Sequence, residues 1–316
     1  MFTGGFTEMC IGTDIMSETP RELRAEDYDF LLPYFKMRYS HTCENVVMSH
    51  FIWKDYYNTR YVADEGGLIW IMNAFGETFS MLPLCKEEDL RLYFDKTKQY
   101  FNQVLGKKLV IYLADEKGCD LLRLSEDEFS IEADRRYFDY IYSADKLRTL
   151  SGKKYHKKKN HLNAFLKEYE GRYEYRSLCC GHKDEIMSFL RKWEDVRDIE
   201  DEYHRVDFEL NGIEYLLEHQ LCVDFNMGAV YIDGRMEAFS LGVYGKHERM
   251  AVIHVEKANP NIRGLYAFIN QQMLVHEFPD ALFVNREDDM GLEGLRKAKM
   301  SYHPIYLMQK YNIIEK

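Results

Sequence analysis

Asp288-Asp289-Met290-Gly291-Leu292-Glu293-Gly294-Leu295-Arg296 follows a short apolar run, Ala281–Val284. A related stretch, Asp115-Glu116-Lys117-Gly118-Cys119-Asp120-Leu121-Leu122-Arg123, stands 173 positions earlier, after the apolar run Leu109–Ala114. Both read Asp-acid-x-Gly-x-acid-x-Leu-Arg, with four identities and two acid-for-acid matches over nine positions. Working outward from each copy, the same order recurs: hairpins, a helix, a buried strand, a short helix and a final strand. In the first half, strands are expected at Tyr57–Ala63, Leu68–Ala74 and Thr78–Leu82, divided by turns at Asp64-Glu65-Gly66-Gly67 and Phe75-Gly76-Glu77. A helix from Lys86 to Val104, the strand Leu109–Ala114 and a last strand, Tyr137–Ser143, complete it. In the second half, Gly228–Ile232, Glu237–Tyr244 and Arg249–Glu256 precede a helix at Arg263–Phe278, and Tyr302–Lys310 reads as the final strand. The alternation predicts an α/β fold with mixed sheets covered by helices. It divides the chain into two units, 1–145 and 146–316, the second carrying the active site. At the offset of 173, Tyr112 and Leu113 stand where Asn285 and Arg286 stand in the second copy, so the first unit reads as degenerate.

Composition narrows the class. The chain has 316 residues, 46% hydrophobic and 30% charged, with a net charge of −11. This is globular composition with material for two cores, and it excludes a uniformly basic coat. No run of about 18 apolar residues occurs, so no membrane span is expected. Residues 1–24 read as a loose leader without the basic start and apolar stretch of a secretory signal. The seven cysteines form no CxxC pair, which predicts reduced, mostly buried thiols in a cytoplasmic protein. The eleven histidines show no ligand spacing, so no metal site is expected.

Four stretches offer chemistry. His254–Tyr266 is a strand–loop–helix junction whose helix start would present free N–H groups to an anion, with Asn261, Arg263 and Gly264 in the loop. The other reading is an ordinary helix capped by Asn261. Asn285-Arg286-Glu287-Asp288-Asp289 is a polar run at the carboxyl end of a strand, where ligands gather in α/β sheets. Its alternative is a capping turn. From Lys146 to Lys167 there are eight basic residues and no acid, led by Lys153, Lys154, Lys157, Lys158 and Lys159 beside Asn160. That is an electrostatic footprint for phosphates or else a solvated face. Ten acids against four bases between Asp184 and Glu209 read as solvated surface. Nucleophile-elbow, P-loop and dinucleotide motifs are missing.

Three stretches together resemble the catalytic domain of phosphatidylglycerol lysyltransferases, in the DUF2156 grouping. They are Leu150–Asn160, His254–Asn270 and Asn285–Pro304. Gly294-Leu295-Arg296-Lys297-Ala298-Lys299, with Tyr302 and Pro304, is similar to that family's G-L-R-x-x-K-x-x-aromatic-x-P element. The resemblance implies two tandem GNAT-like acyltransferase folds akin to Fem-type aminoacyltransferases. It further implies transfer of an aminoacyl group from aminoacyl-tRNA to an amine or hydroxyl acceptor, whether small molecule, peptide or lipid headgroup. The acetyltransferase pyrophosphate loop is reduced to Gly264. An acetyl-CoA-dependent N-acetyltransferase and a non-catalytic ligand- or RNA-binding protein stand as the alternatives.

On this reading Glu256 and Asp288 converge on one pocket as the catalytic carboxylates, with Asn285 and Arg286 lining it. Asn270, Asn285, Arg286, Glu287, Arg296, Lys299 and Tyr302 are the expected substrate-binding residues. The lysines at 153, 154 and 157–159, with Asn160, are the expected tRNA contacts.

Overall fold

The computed structural model describes residues 14–196, 205–219 and 225–316. Its first half contains β1 (Arg21–Glu22), α1 (Tyr28–Phe35), α2 (Val47–Ile52), β2 (Arg60–Asp64), β3 (Gly67–Ala74), β4 (Glu77–Phe79) and β5 (Leu84–Cys85). There follow α3 (Leu90–Gln99), β6 (Val110–Asp115), α4 (Glu116–Leu122), β7 (Phe129–Ala133), β8 (Asp139–Ser143) and α5 (Ala144–Thr149). The second half contains α6 (His156–Glu168), β9 (Tyr173–Leu178), α7 (Lys183–Val196), α8 (Arg205–Glu218), β10 (Phe225–Ile232) and β11 (Arg235–Gly245). It ends with β12 (Met250–Ala258), α9 (Leu265–His276), β13 (Phe283–Asn285), α10 (Glu293–Met300), β14 (Tyr306–Met308) and β15 (Lys310–Glu315). Among the described residues, no helix is long and apolar enough to cross a membrane.

Local sequence explains most of these elements. In α3, Leu90, Tyr93, Phe94 and Thr97 are buried, the i, i+3, i+4, i+7 stripe of a helix lying on a sheet. In α9, Leu265, Ala267, Phe268, Ile269, Met273 and Leu274 are all buried, because the helix lies between α5, α6 and the sheet. Strands β10 to β12 are buried along nearly their whole length. Helix α9 covers one face, and α7 with the α2–α8 pair covers the other, so both faces read as apolar.

Seven strands form the main sheet in the order β14-β8-β13-β12-β11-β10-β9. Its pairs are antiparallel except β12 with β13. In the other half, β1-β2-β3-β4 continues through a parallel bridge, Ser80 to Ile111, into β6-β15-β7. The final strands are thus exchanged. β8, from the first half, lies between β13 and β14. β15, the last strand of the chain, lies between β6 and β7. This corrects three sequence expectations. The run Tyr302–Lys310 is not one strand: it divides into β14 and β15, which belong to different sheets. The leader read at residues 1–24 includes a strand, β1, paired with β2; residues 1–13 lie outside the described residues. Cys180 is disulfide-bonded and Cys179 is exposed, so the thiols are not uniformly reduced and buried.

Each exchanged strand brings one partner to a buried ion cluster. The Lys310 ammonium of β15 lies 2.7 Å from Asp139 of β8 and 2.6 Å from Glu44, with Lys310 and Asp139 fully buried. Removing the cation from a buried cluster leaves uncompensated charge, which costs about 3–5 kcal/mol. Lys310→Met is therefore expected to lower unfolding stability by that order in a denaturant titration. A midpoint equal to the wild type's would show that this pairing does not hold the exchange together.

Candidate functional site

Strands β12 and β13 run together for only three pairs, Met250 with Phe283, Ala251 with Val284 and Val252 with Asn285. Beyond Asn285 the chain stays bonded to β8, with Arg286 N–H on the Tyr140 carbonyl and Tyr140 N–H on the Glu287 carbonyl, both at 3.1 Å. β12 meanwhile continues along β11 to Ala258. The two strands part, and two side-chain pairs span the opening.

A bulge sets which pair lies on which face. Leu241 pairs with Val255 but Gly242 pairs with Ile253, so His254 is the extra residue. Before the bulge, Val252 faces the core of α2, α7 and α8, and Ile253 faces that of α9. After it, Val255 again faces the α2 side, and Glu256 turns to α9. One inserted residue exchanges the faces of all that follow. Without it His254 and Glu256 would share a face.

On the α9 face, the Glu256 carboxylate accepts from Arg286 Nη2 at 2.7 Å and from Asn270 Nδ2 at 2.9 Å. The side chains of Glu256 and Arg286 are 9% and 12% exposed. The Arg286 guanidinium lies 4.8 Å from the Tyr302 ring centre and 5.7 Å from that of Tyr142. Lys158 Nζ covers the Tyr302 ring at 3.9 Å. Burial, and then the charge of Arg286, hold the Lys158 ammonium down at about 8. Arg286 Nη1 is buried and has no hydrogen-bond partner. An unmade bond from a buried donor costs about 1–3 kcal/mol, which a ligand oxygen there would recover.

On the opposite face, Asn285 Nδ2 donates to Asp139 at 2.8 Å and to the His41 carbonyl at 3.0 Å. Lys310 and Glu44 adjoin Asp139, and Cys43 Sγ lies 3.4 Å from the Lys310 ammonium. Cys43, Glu44 and Asp139 lie close enough to hold a metal ion, but Lys310 supplies the cation there. His254 Nδ1 lies 2.7 Å from Glu287 Oε1 and 3.4 Å from Ser49 Oγ. Glu287 has φ +56°, in the left-handed region, where a non-glycine residue carries roughly 1–3 kcal/mol of strain. Its N–H is tied to Asn285 Oδ1 at 2.7 Å. His254 Nε2 and Glu44 Oε2 are buried without partners.

The expected single pocket of Glu256, Asn285, Arg286 and Asp288 does not form. Asn285 and Arg286 are consecutive in an extended chain, so their side chains leave on opposite faces. The Asp288 carboxylate caps the Met290 N–H at 2.9 Å. Burial pushes it up to about 7, with Lys310, Lys299, Asp139 and Glu287 as its charged neighbours. Glu256 is not among them, so the two expected catalytic carboxylates belong to separate environments. The site is also not confined to residues 146–316, since Tyr142, Asp139, Glu44 and Ser49 precede that boundary.

Other expected contacts are used internally. Arg296 binds both oxygens of Asp289 at 2.9 Å, and Arg135 joins at 3.1 Å. Burial works against the Asp289 carboxylate, yet bonds from Arg296, Tyr140 and the Gly291 N–H hold it down at about 2. Lys299 is buried and donates to the Arg286 carbonyl at 2.5 Å and to that of Asp288, so it braces the loop. At the start of α9 the cap is Gly264, not Asn261. Gly264 has φ +88°, and a Cβ there would stand 2.1 Å from the His161 carbonyl. That glycine admits α6 rather than a phosphate. Asn261 and Arg263 are exposed beside it. In the basic stretch Lys153, Lys154, Lys157, Lys159 and Asn160 are exposed, and Lys158 turns inward. Part of the acidic stretch, residues 197–204, lies outside the described residues.

Two open surface depressions, of about 490 and 430 Å³, lie away from Glu256, one along α7 with Glu214 of α8 and one around Glu22 and Tyr215. Sequence reasoning missed Asp139, Glu44 and Lys310, which only the exchange brings together. It gave His254 no role. A histidine inside an otherwise apolar strand was the available signal.

Comparison with known proteins agrees with this architecture. The family described as phosphatidylglycerol lysyltransferase, C-terminal, matches residues 37–314. A conserved protein of unknown function from Bacteroides thetaiotaomicron is 27% identical and superposes with a TM-score of 0.84, over 94% of this chain and 99% of that one. L-PGS from Bacillus licheniformis is 13% identical, with a TM-score of 0.66 over 90% and 91%. FemX is 9% identical, with a TM-score of 0.57 over 93% and 97%. The last two likenesses bear on the fold alone, and they bear out the expected mixed α/β architecture. With the family match spanning most of its length, the chain belongs to the phosphatidylglycerol lysyltransferase C-terminal family.

Proposed function

We propose that this chain is an acyltransferase that moves an aminoacyl group from aminoacyl-tRNA to an amine or hydroxyl acceptor. The observation that carries the reading is the buried Glu256–Arg286 pair at the parting of β12 and β13, with an unpartnered Arg286 N–H beside it. A carbonyl or phosphate oxygen of the donor completes that guanidinium. Glu256, bonded through both oxygens to Arg286 and Asn270, orients the guanidinium and receives the donor ammonium. Tyr302 and Lys158 flank the pair on the α6 side, and the four exposed lysines of α6 and the turn before it lead outward from there. Asp288 and Asn285 support the loop from the opposite face. The aminoacyl-tRNA donor places the protein in the cytoplasm. The internal use of Gly264 disfavours the acetyl-CoA alternative, because that glycine is the one remnant of a pyrophosphate loop. We also propose that the two halves are duplicated units whose final strands have been exchanged.

A thermal-shift comparison separates the donors. Charged tRNA is expected to raise the melting temperature and coenzyme A to leave it unchanged; the reverse pattern would make the protein an acetyltransferase. In a transfer assay with labelled aminoacyl-tRNA, Glu256→Gln is expected to lower turnover roughly a hundredfold, the scale of losing one positioned polar group at the reacting centre. Turnover within threefold of wild type would remove Glu256 from the site.

Two binding measurements test the basic surface. Changing Lys153, Lys154, Lys157 and Lys159 to Ala should weaken tRNA binding and reduce its salt slope by about 0.7–0.9 for each phosphate no longer neutralised. Unchanged affinity and slope would leave these lysines as a solvated face. Lys158 is charged well below pH 8 and loses its charge progressively as pH rises through about 8. Wild-type affinity for the charged donor should therefore weaken as pH rises through about 8, and Lys158→Met should lack that step. A step that survives in the variant would assign it elsewhere.

A further inference from the structure

We propose that His254, with Glu287 behind it, is the proton acceptor for the attacking nucleophile. The inference rests on the aminoacyl-transfer reading and adds to it the group that activates the acceptor. An ionised carboxylate only accepts hydrogen bonds, so the 2.7 Å contact requires His254 Nδ1 to carry the proton. The neutral imidazole then presents a lone pair at Nε2. That atom is buried, unpartnered, and on a side chain only 2% exposed. Several features fix this tautomer. Glu287 adopts a left-handed backbone that returns its side chain toward β12. Asn285 Oδ1 holds the Glu287 N–H. Ser49 Oγ donates to the Cys43 carbonyl at 2.8 Å and offers its own oxygen to His254 Nδ1. A carboxylate that orients one ring nitrogen and leaves the other free is the arrangement a general base needs. The bulge puts the residue there, at the point where the strands separate.

In the step proposed, the acceptor nitrogen or oxygen bonds to the ester carbonyl carbon of the donor. Its proton passes to His254 Nε2. When the tetrahedral intermediate collapses, the bond from that carbon to the ribose oxygen breaks, and the same proton passes from Nε2 to the departing oxygen. No oxidant or further reactant enters. Arg286 and Glu256 hold the donor from one face of the sheet, and His254 takes the proton from the other.

The test is single-turnover transfer against pH, with tRNA affinity measured alongside. Ionisable neighbours on this face are Glu287 in contact, Cys43, Glu44, Asp139, Lys310 and Asp288 nearby, and the Glu209–Lys257 pair farther along β12. His50 of α2 is held by burial at about 4, below the range of the assay. His254→Gln should lower the rate a hundredfold or more, abolish the acidic limb of the profile and leave tRNA affinity unchanged. Glu287→Gln keeps the imidazole but removes the carboxylate that fixes its tautomer, so it should lower the rate and admit the Nε2–H form. A His254→Gln rate within threefold of wild type, or a slow variant with the wild-type limb intact, would overturn the proposal. Nitrogen NMR of the imidazole supplies a readout independent of turnover: the Nδ1–H tautomer supports the dyad, and an Nε2–H tautomer overturns it. Absence of any transfer by the wild type from charged tRNA would reject the aminoacyl-transfer reading itself, with the tautomer still deciding the dyad.

Discussion

The structure turns on the point where β12 and β13 stop sharing backbone hydrogen bonds. A parallel ladder that ends after three pairs exposes the edges of two central strands inside the protein. Buried backbone groups are nearly always paired, so an interior gap of this kind is a place for a ligand or for side chains. Here Glu256–Arg286 spans the opening on one face and His254–Glu287 on the other. Both pairs depend on the single inserted residue at the bulge. Register in a sheet is otherwise a period-two property, and the insertion gives each face its own acid.

What keeps the opening in place is the exchange of final strands. β8 holds the chain after β13 as it leaves β12, and β15 carries Lys310 to the Asp139 end of β8. The separation is therefore buttressed by elements from both ends of the chain. The buried Lys310 is surrounded by Asp139, Glu44 and the Cys43 thiol; burial opposes its charge, but those neighbours hold its ammonium well above the ordinary lysine range. Burial pushes the Cys43 thiol upward, and Asp139 adds to the effect. This cluster serves as a clasp between the two ends of the chain.

Much of this was legible in the sequence, and the remainder for identifiable reasons was not. Periodicity located β3 to within one residue, Leu68–Ala74 against Gly67–Ala74, and placed most other strands within a few residues, because their apolar runs report burial directly. It also marked Asn285–Asp289 and His254–Tyr266 as the two polar junctions, and these are the two chains that part. It did not reveal that Tyr302–Lys310 spans two sheets, since strand partners are a non-local property. The bulge at His254 is equally silent, as nothing in His254-Val255-Glu256 marks an extra residue. Alternation of Asn285 and Arg286 could have been foreseen and argues against one shared pocket. The capping duties of Asp288 and Asp289 and the use of Arg296 on Asp289 show how a charged run at a helix start divides between structure and site.

The most direct measurement is a crystal structure with a stable amide analogue of an aminoacylated adenosine. The account predicts the analogue between β12 and the chain after β13, its carbonyl oxygen within hydrogen-bond distance of Arg286 Nη1 and its ammonium near Glu256. An analogue bound elsewhere, with Arg286 Nη1 still unpartnered, would contradict it.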